Sequence, residues 1–260
     1  MHRNSIKKVQ NLKNNRPISC LTAYTSDIAK IVDKNVDVIL IGDSLGVVLY
    51  GFSNTRSVSL EMMINHGKAV MKSSKRAFTI IDMPYKTYQN KRQALYNAKK
   101  LLKLTNCQSV KLEVDKKTVP IISHLVRNNI TVISHIGVLP QQFNDFNKIR
   151  LVGKTTKQVK DILELANQLE VVGSSMLLLE CVEEELAKKI TKQVRIPTIG
   201  IGSSVYCDGQ ILVVNDILNM DNSFKKPSFV KKYGNLFYHA DKAIKTYDRE
   251  VKNKKFPRKK

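Results

Sequence analysis

Ionisable residues stand at the ends of short apolar runs, and their types suggest metal-assisted chemistry. Asp43 follows the run 36–42, and Asp82 closes the run 78–82. Lys111 and Glu113 close 109–113, His135 closes 130–135, and Glu180 closes 176–180. Oxygen ligands suit a hard cation such as Mg²⁺, which prefers octahedral geometry and keeps positions open for waters and substrate. A 2-oxo acid can chelate such an ion through its carboxylate and keto oxygens, and the ion then stabilises an enolate. Lys111 can offset the substrate carboxylate. A carboxylate free of the metal would serve as the base.

Each residue alone has a plainer reading. Asp43 precedes Ser44-Leu45 and Asp82 precedes Met83-Pro84, so either could cap a following turn. Glu180 could open a helix, and a single His135 is commonly a hydrogen-bonded structural residue. Lys111 and Glu113 are harder to explain away. Residues i and i+2 of a strand share a face, and an ion pair inside a strand is costly to bury. Independent caps have no reason to crowd one end of a fold.

The elements that would position these groups alternate. The apolar runs are 18–24, 36–42, 78–82, 109–113, 130–135, 176–180, 197–201 and 210–214. Most are continuously apolar, as strands buried on both faces by helices are. Between them lie stretches of helical period. In 156–169, Val159, Ile162, Leu163, Ala166 and Leu169 make one face, with Thr155 or Thr156 to cap the start and Gly173 after the end. In 182–194, Glu183, Glu184 and Glu185 precede Lys188, Lys189 and Lys192, the order that complements a helix dipole. The stretch 90–104 turns Ala94, Leu95, Ala98, Leu101 and Leu102 inward.

About eight strand–helix units predict an α/β fold of the (β/α)8 TIM-barrel type, whose strand ends converge on one mouth. A doubly wound sheet would advertise G-x-G-x-x-G near its first strand. Gly200-Ile201-Gly202 followed by Ser203-Ser204 is only a fragment of that pattern. The chain reads as a single barrel domain over 1–260, with a short N-terminal helix and a basic tail, about 250–260, expected to fray.

Composition narrows the class. Hydrophobic residues make up 42%, enough for a sizeable core. No apolar run reaches the ~20 residues of a spanning helix, and the basic start lacks a signal peptide's apolar stretch. A cytoplasmic protein without a membrane partner is expected. Cys20, Cys107, Cys181 and Cys207 are too widely spaced for a metal finger or redox pair. The net charge of +22 raises nucleic acid as a partner. The excess is spread along the chain, though, and no zinc-finger spacing or aromatic RNA-binding motif appears, so no nucleic-acid partner is expected.

Several blocks carry a family resemblance. Ile41-Gly42-Asp43-Ser44-Leu45-Gly46 resembles the signature loop of ketopantoate hydroxymethyltransferases. Leu178-Leu179-Glu180-Cys181-Val182, Ile196-Pro197-Thr198-Ile199-Gly200-Ile201-Gly202 and Cys207-Asp208-Gly209-Gln210 resemble further blocks, as do Thr22-Ala23-Tyr24, Val110-Lys111-Leu112-Glu113 and His135-Ile136-Gly137. The likeness runs to about residue 240. It implies a barrel of the phosphoenolpyruvate mutase/isocitrate lyase group and a homo-oligomer, commonly a decamer. It also implies Mg²⁺, 3-methyl-2-oxobutanoate as acceptor and 5,10-methylenetetrahydrofolate as one-carbon donor, with 2-dehydropantoate as a product that feeds pantothenate and coenzyme A synthesis. Carried onto matching positions, Asp43, Asp82 and Glu113 hold the metal, directly or through water. Asp43, Ser44, Asp82 and Lys111 bind the 2-oxo acid, and Glu180 accepts the proton. Departures from the family pattern are Thr25, Ser134, Val138-Leu139 and Asn215.

The base assignment also has a chemical argument. Glu113 is drawn to metal and lysine, which weakens it as a base. His135 titrates in a useful range. Glu180 ends an apolar run, and apolar walls favour proton uptake by a carboxylate. The runner-up reading is another Mg²⁺-dependent 2-oxo-acid lyase or transferase of the same barrel group.

Overall fold

The protein is described from a computed structural model, which covers residues 3–145, 148–220 and 227–257. Two compact units divide the chain, Met1–Leu212 and Val213–Lys260. The sequence predicts one domain over 1–260, and the eighth strand of the barrel ends at Leu212.

The first unit contains α1 (Ile6–Gln10), β1 (Ile18–Thr22), α2 (Ser26–Asn35), β2 (Val38–Ile41), α3 (Leu45–Val48), α4 (Leu60–Ser73), β3 (Phe78–Asp82), α5 (Lys91–Thr105) and β4 (Ser109–Glu113). It continues with α6 (Val119–Arg127), β5 (Val132–Gly137), α7 (Thr156–Val171), β6 (Met176–Glu180), α8 (Glu184–Gln193), β7 (Thr198–Ile201) and β8 (Gly209–Leu212). Among the described residues, eight parallel strands close into a barrel in sequence order, with β1 pairing both β2 and β8. The three strands that end on an ionisable side chain, β3, β4 and β6, match the expected runs residue for residue. β1 stops two residues earlier than expected, and β5 runs on to Gly137. Val214 belongs to a helix instead of β8, and Val182 forms a lone bridge to Val152 ahead of α8.

Local chemistry sets the helix ends. Asn90 caps α5 by accepting from the Gln93 N–H, and Asn106 ends it at φ +62°, a conformation Asn tolerates. Thr155, not Thr156, caps α7, and the Glu183 carboxylate caps α8.

The barrel interior is filled from the N-terminal end. Val9 of α1 joins Ile18, Cys20, Val38, Leu40, Phe78, Ile80, Ile133, Met176, Leu178, Ile199 and Ile211 in one buried cluster. Alternate residues of a strand face inward. Continuing that parity one step beyond Ile80, Ile133 and Leu178 reaches Asp82, His135 and Glu180. Apolar layers thus form the floor, and the ionisable groups are the next inward positions above it.

The second unit holds α9 (Val214–Ile217) and α10 (Leu236–Lys252). The backbone N–H groups of Tyr233 and Gly234 donate to the Ile217 carbonyl, at 2.7 and 3.1 Å, which ties the approach to α10 back onto α9. α10 buries none of its residues and exposes Phe237, Ile244, Tyr247 and Val251. The expected frayed tail is helical through Lys252, while Arg258, Lys259 and Lys260 lie outside the described residues. Among the described residues no helix is long and apolar enough to cross a membrane.

Candidate active site

Strand register brings the site together. Asp82 lies opposite Lys111 across β3–β4, Glu113 opposite His135 across β4–β5, and Gly137 opposite Glu180 across β5–β6. The Lys111 Nζ stands 2.6 Å from Asp82 Oδ1. The strand-neighbour pair Lys111–Glu113 is therefore not the close ion pair; the lysine reaches across to β3. The other oxygen of Asp82 accepts the Asp43 backbone N–H at 2.9 Å, locking the β2 exit onto the β3 end. Asp43, Asp82, Lys111, Glu113 and His135 are all buried.

Glu180 sits differently. Its side chain is 18% exposed, against 3% for Asp82 and His135, so it stands at the rim where a substrate could reach it. His135 Nε2 lies 3.3 Å from Glu180 Oε2. Among the described residues neither ring nitrogen of His135 has an aligned hydrogen-bond partner. The backbone around Glu180 is held tightly. Gly137 takes φ +99°, and a Cβ there would lie 2.3 Å from the Glu180 carbonyl oxygen, so only glycine fits. Cys181 follows at φ +48°, a strained conformation for a non-glycine residue. Ser203 braces it, donating to the Leu179 carbonyl at 2.8 Å and accepting from the Val182 N–H at 3.0 Å. Ser44, also expected in the site, has its hydroxyl 2.8 Å from the Tyr24 hydroxyl.

Two residues that the sequence did not single out bind this cluster together. Gln141, in the 3-10 turn Pro140–Gln142, is buried. Its backbone N–H reaches both Glu113 carboxyl oxygens at 3.1 Å. Its side-chain amide donates to Asp43 Oδ2 at 2.8 Å and to the Met83 carbonyl at 3.1 Å. The Tyr88 hydroxyl donates to the Gln141 Oε1 at 2.6 Å. Neither residue carries charge or sits in a periodic segment, so the sequence holds no local signal for either.

The electrostatics show too little positive charge. Burial, then the neighbouring Asp82, pushes the Asp43 carboxyl up to about 7, although Lys111 and Gln141 pull it back. Burial, then Asp43, raises Glu113 well above the usual carboxylate range. Burial works against the Lys111 ammonium, but Asp82, Asp43 and Glu113 outweigh it and keep it charged. Burial lowers His135 and favours the neutral imidazole, with Lys111 adding to that and Glu180 opposing it. A divalent cation fits this imbalance. Among the described residues no three His, Cys, Asp or Glu side chains form a ready-made metal cage. Mg²⁺ does not need one, because it is commonly held by one or two carboxylates plus waters and substrate oxygens. Asp43 and Asp82 would be such a pair, with Glu113 held on the Gln141 N–H.

A model of the family described as ketopantoate hydroxymethyltransferase matches residues 3–259. The chain belongs to that family. It is accordingly an enzyme. A 3-methyl-2-oxobutanoate hydroxymethyltransferase of Pelagibacter ubique (strain HTCC1062) is 46% identical, with 99% of this chain and 96% of that protein covered. One of Clostridium botulinum (strain Langeland / NCTC 10281 / Type F) is 42% identical, with 99% and 94% covered. Among solved structures, a phosphonopyruvate hydrolase complex with oxalate and Mg²⁺ aligns with TM-score 0.60 at 10% identity, covering 95% of this chain and 87% of that one. A 2,3-dimethylmalate lyase of the PEP mutase/isocitrate lyase superfamily aligns with TM-score 0.59 at 13% identity, covering 98% and 90%. At such identities the structures share the fold, as the family's resemblance implied, and not a function. The lyase alternative therefore rests on fold alone, while the family match spans nearly the whole chain.

Proposed function

We propose that the enzyme transfers a hydroxymethyl group from 5,10-methylenetetrahydrofolate to 3-methyl-2-oxobutanoate, giving 2-dehydropantoate for pantothenate and coenzyme A synthesis. The observation that carries this reading is the cluster Asp43–Asp82–Lys111–Glu113, buried at one end of the barrel beside the rim carboxylate Glu180. Asp43 and Asp82 would hold Mg²⁺, with Glu113 acting through water. When bound there, the ion draws electron density from the 2-oxo acid and stabilises its enolate. Lys111, kept charged by its acidic neighbours, offsets the substrate carboxylate. Ser44 offers a hydroxyl to the same ligand. Glu180 takes the C3 proton; C3 then bonds the folate's methylene carbon as both of its C–N bonds break, a water supplies the hydroxyl oxygen, and tetrahydrofolate leaves with its nitrogens reprotonated. His135, neutral by burial and 3.3 Å from Glu180, keeps its ring nitrogens available for a hydrogen bond when substrate arrives.

The test is transfer to 3-methyl-2-oxobutanoate with folate donor, with and without Mg²⁺. Turnover that requires Mg²⁺ is expected. No transfer under either condition, together with tight, salt-sensitive retention on DNA or RNA, would put the basic charge of the chain at the centre instead.

We propose further that the enzyme works in the cytoplasm as a homo-oligomer, a decamer on the family pattern. The exposed apolar side chains of α10 support assembly, since such faces are commonly covered by a partner. A charge of +22 per chain opposes close packing, so acidic patches should line the contacts. A monomer by light scattering at physiological salt would contradict assembly.

A further inference from the structure

We propose that Gln141 is a positioning residue for the cation site, and that Tyr88 fixes its amide in the one orientation that works. The inference rests on the reading that Asp43 and Glu113 serve a divalent ion. Its own basis is the bonding pattern. Gln141 touches two acidic residues from two strand ends, which lie 28 and 98 positions away in sequence. The backbone N–H is shared between both oxygens of Glu113, so that carboxyl cannot swing freely. The side-chain amide reaches Asp43 and, through the Met83 carbonyl, the exit of β3. One buried residue therefore spans the ends of β2, β3 and β4.

Orientation decides whether this works. An amide has a donor end and an acceptor end. The Met83 carbonyl can only accept, and so can Asp43 in the ionised form that would hold a cation. Both therefore need the NH₂ end. A flip would set the amide oxygen against two acceptors. The Tyr88 hydroxyl, donating to Oε1 at 2.6 Å, prevents the flip by supplying the only kind of partner that the oxygen can use. A buried glutamine that merely filled space would need its polar atoms satisfied, but it would have no reason to bind two acidic residues of one site. Groups that orient metal ligands from behind typically change metal affinity or activity 10–100-fold when removed.

The experiment compares wild type, Tyr88→Phe and Gln141→Met. Mn²⁺ binding to the metal-free protein is followed by electron paramagnetic resonance, and Mg²⁺ binding by calorimetry. Steady-state kinetics at varied Mg²⁺ and thermal unfolding complete the set. Gln141→Met should weaken Mn²⁺ roughly 10–100-fold, and Tyr88→Phe several-fold. In Tyr88→Phe the apparent Mg²⁺ constant should rise more than kcat at saturating Mg²⁺ falls, on top of the modest loss of metal-free melting temperature that stranding the Gln141 amide oxygen brings. A purely structural role would move the melting temperature and leave metal affinity alone. If Gln141→Met does not fold, Tyr88→Phe decides by itself, since it removes one oxygen atom. Mn²⁺ affinities within twofold of wild type in the folded variants would overturn the assignment while leaving the metal reading in place. A wild-type chain that binds no divalent ion would overturn both.

Discussion

The two ends of the barrel both bury aspartates, and they treat them in opposite ways. At the N-terminal end, Asp33 accepts from the Lys75, Arg76 and Ala77 backbone N–H groups and from the Ser74 hydroxyl. Burial pushes its carboxyl up, but these donors hold it below the usual range. Asp37 is gripped by both guanidinium nitrogens of Arg16 at 2.8 and 2.7 Å, and that bond holds it low in spite of burial. Asp208 accepts from Lys13 and from Thr198. At the C-terminal end, Asp43 and Glu113 are raised, with Lys111 as their nearby cation. Burial is common to both ends, so burial alone says nothing about function. The donors do. A carboxylate supplied with enough of them is part of the frame, and one left short is available for a ligand.

Substitutions can break this contrast. The largest effect is expected at Glu180. Glu180→Gln should lose about 10²–10⁴-fold in kcat, the usual worth of a general base, while keeping Mg²⁺ and 2-oxo-acid binding. Where wild type exchanges the C3 hydrogen into D₂O without folate, Glu180→Gln should not. Exchange at the wild-type rate in Glu180→Gln, with loss in His135→Asn, would make His135 the base. Next comes Asp82→Asn, expected to cost more than ~100-fold in activity, beyond what outer-shell changes cost, with the fold intact by circular dichroism. Wild-type turnover and metal affinity in that variant would remove Asp82 from the site.

The opposite end should answer in stability only. Asp33→Ala strands three backbone donors and a hydroxyl, costing about 3 kcal/mol and roughly 5–10 °C in melting temperature. Activity per folded molecule should not change; a fall in kcat at temperatures where the variant is folded would erase the division between the ends. The smallest effect is the response to pH, which should differ in sign. The low-held Asp33 and Asp37 contribute stability that is present above the usual carboxylate pKa of 3.8 and is lost as pH falls through their lower folded values. The raised Asp43 contributes stability that is complete below 3.8 and is lost as pH rises through about 7. In chelator-treated protein, wild type should therefore lose melting temperature relative to Asp43→Asn between about pH 4 and 7. Parallel curves for the two would refute the upward shift of the Asp43 carboxyl.

The framework and the charged part of the candidate site are legible in the sequence because each leaves a local mark. Phe78–Asp82, Ser109–Glu113 and Met176–Glu180 are apolar runs that stop on an ionisable residue, which gives both the strand and its polar end. Gln141 and Tyr88 left no such mark. They act through uncharged groups on connecting segments, and their partners lie tens of residues away. The partner of Lys111 was equally hidden, because Asp82 becomes its neighbour only through the β3–β4 register. α10 carries its apolar residues at helical spacing, but the dense basic run that follows is the more conspicuous pattern there.

The double-sided burial of β4 has a consequence for folding. All five of its residues are buried, so hydrophobic pattern alone offers little to choose between two alignments one residue apart. A slip would turn Val110 and Leu112 to the interior at no great loss, and would drive Lys111 and Glu113 into the apolar packing of the surrounding helices. Unpaired charges there are severely penalised. The residues proposed to serve the reaction thus also act as register pins, and replacing both with leucine would remove the candidate site and the alignment signal that puts the strand where it is.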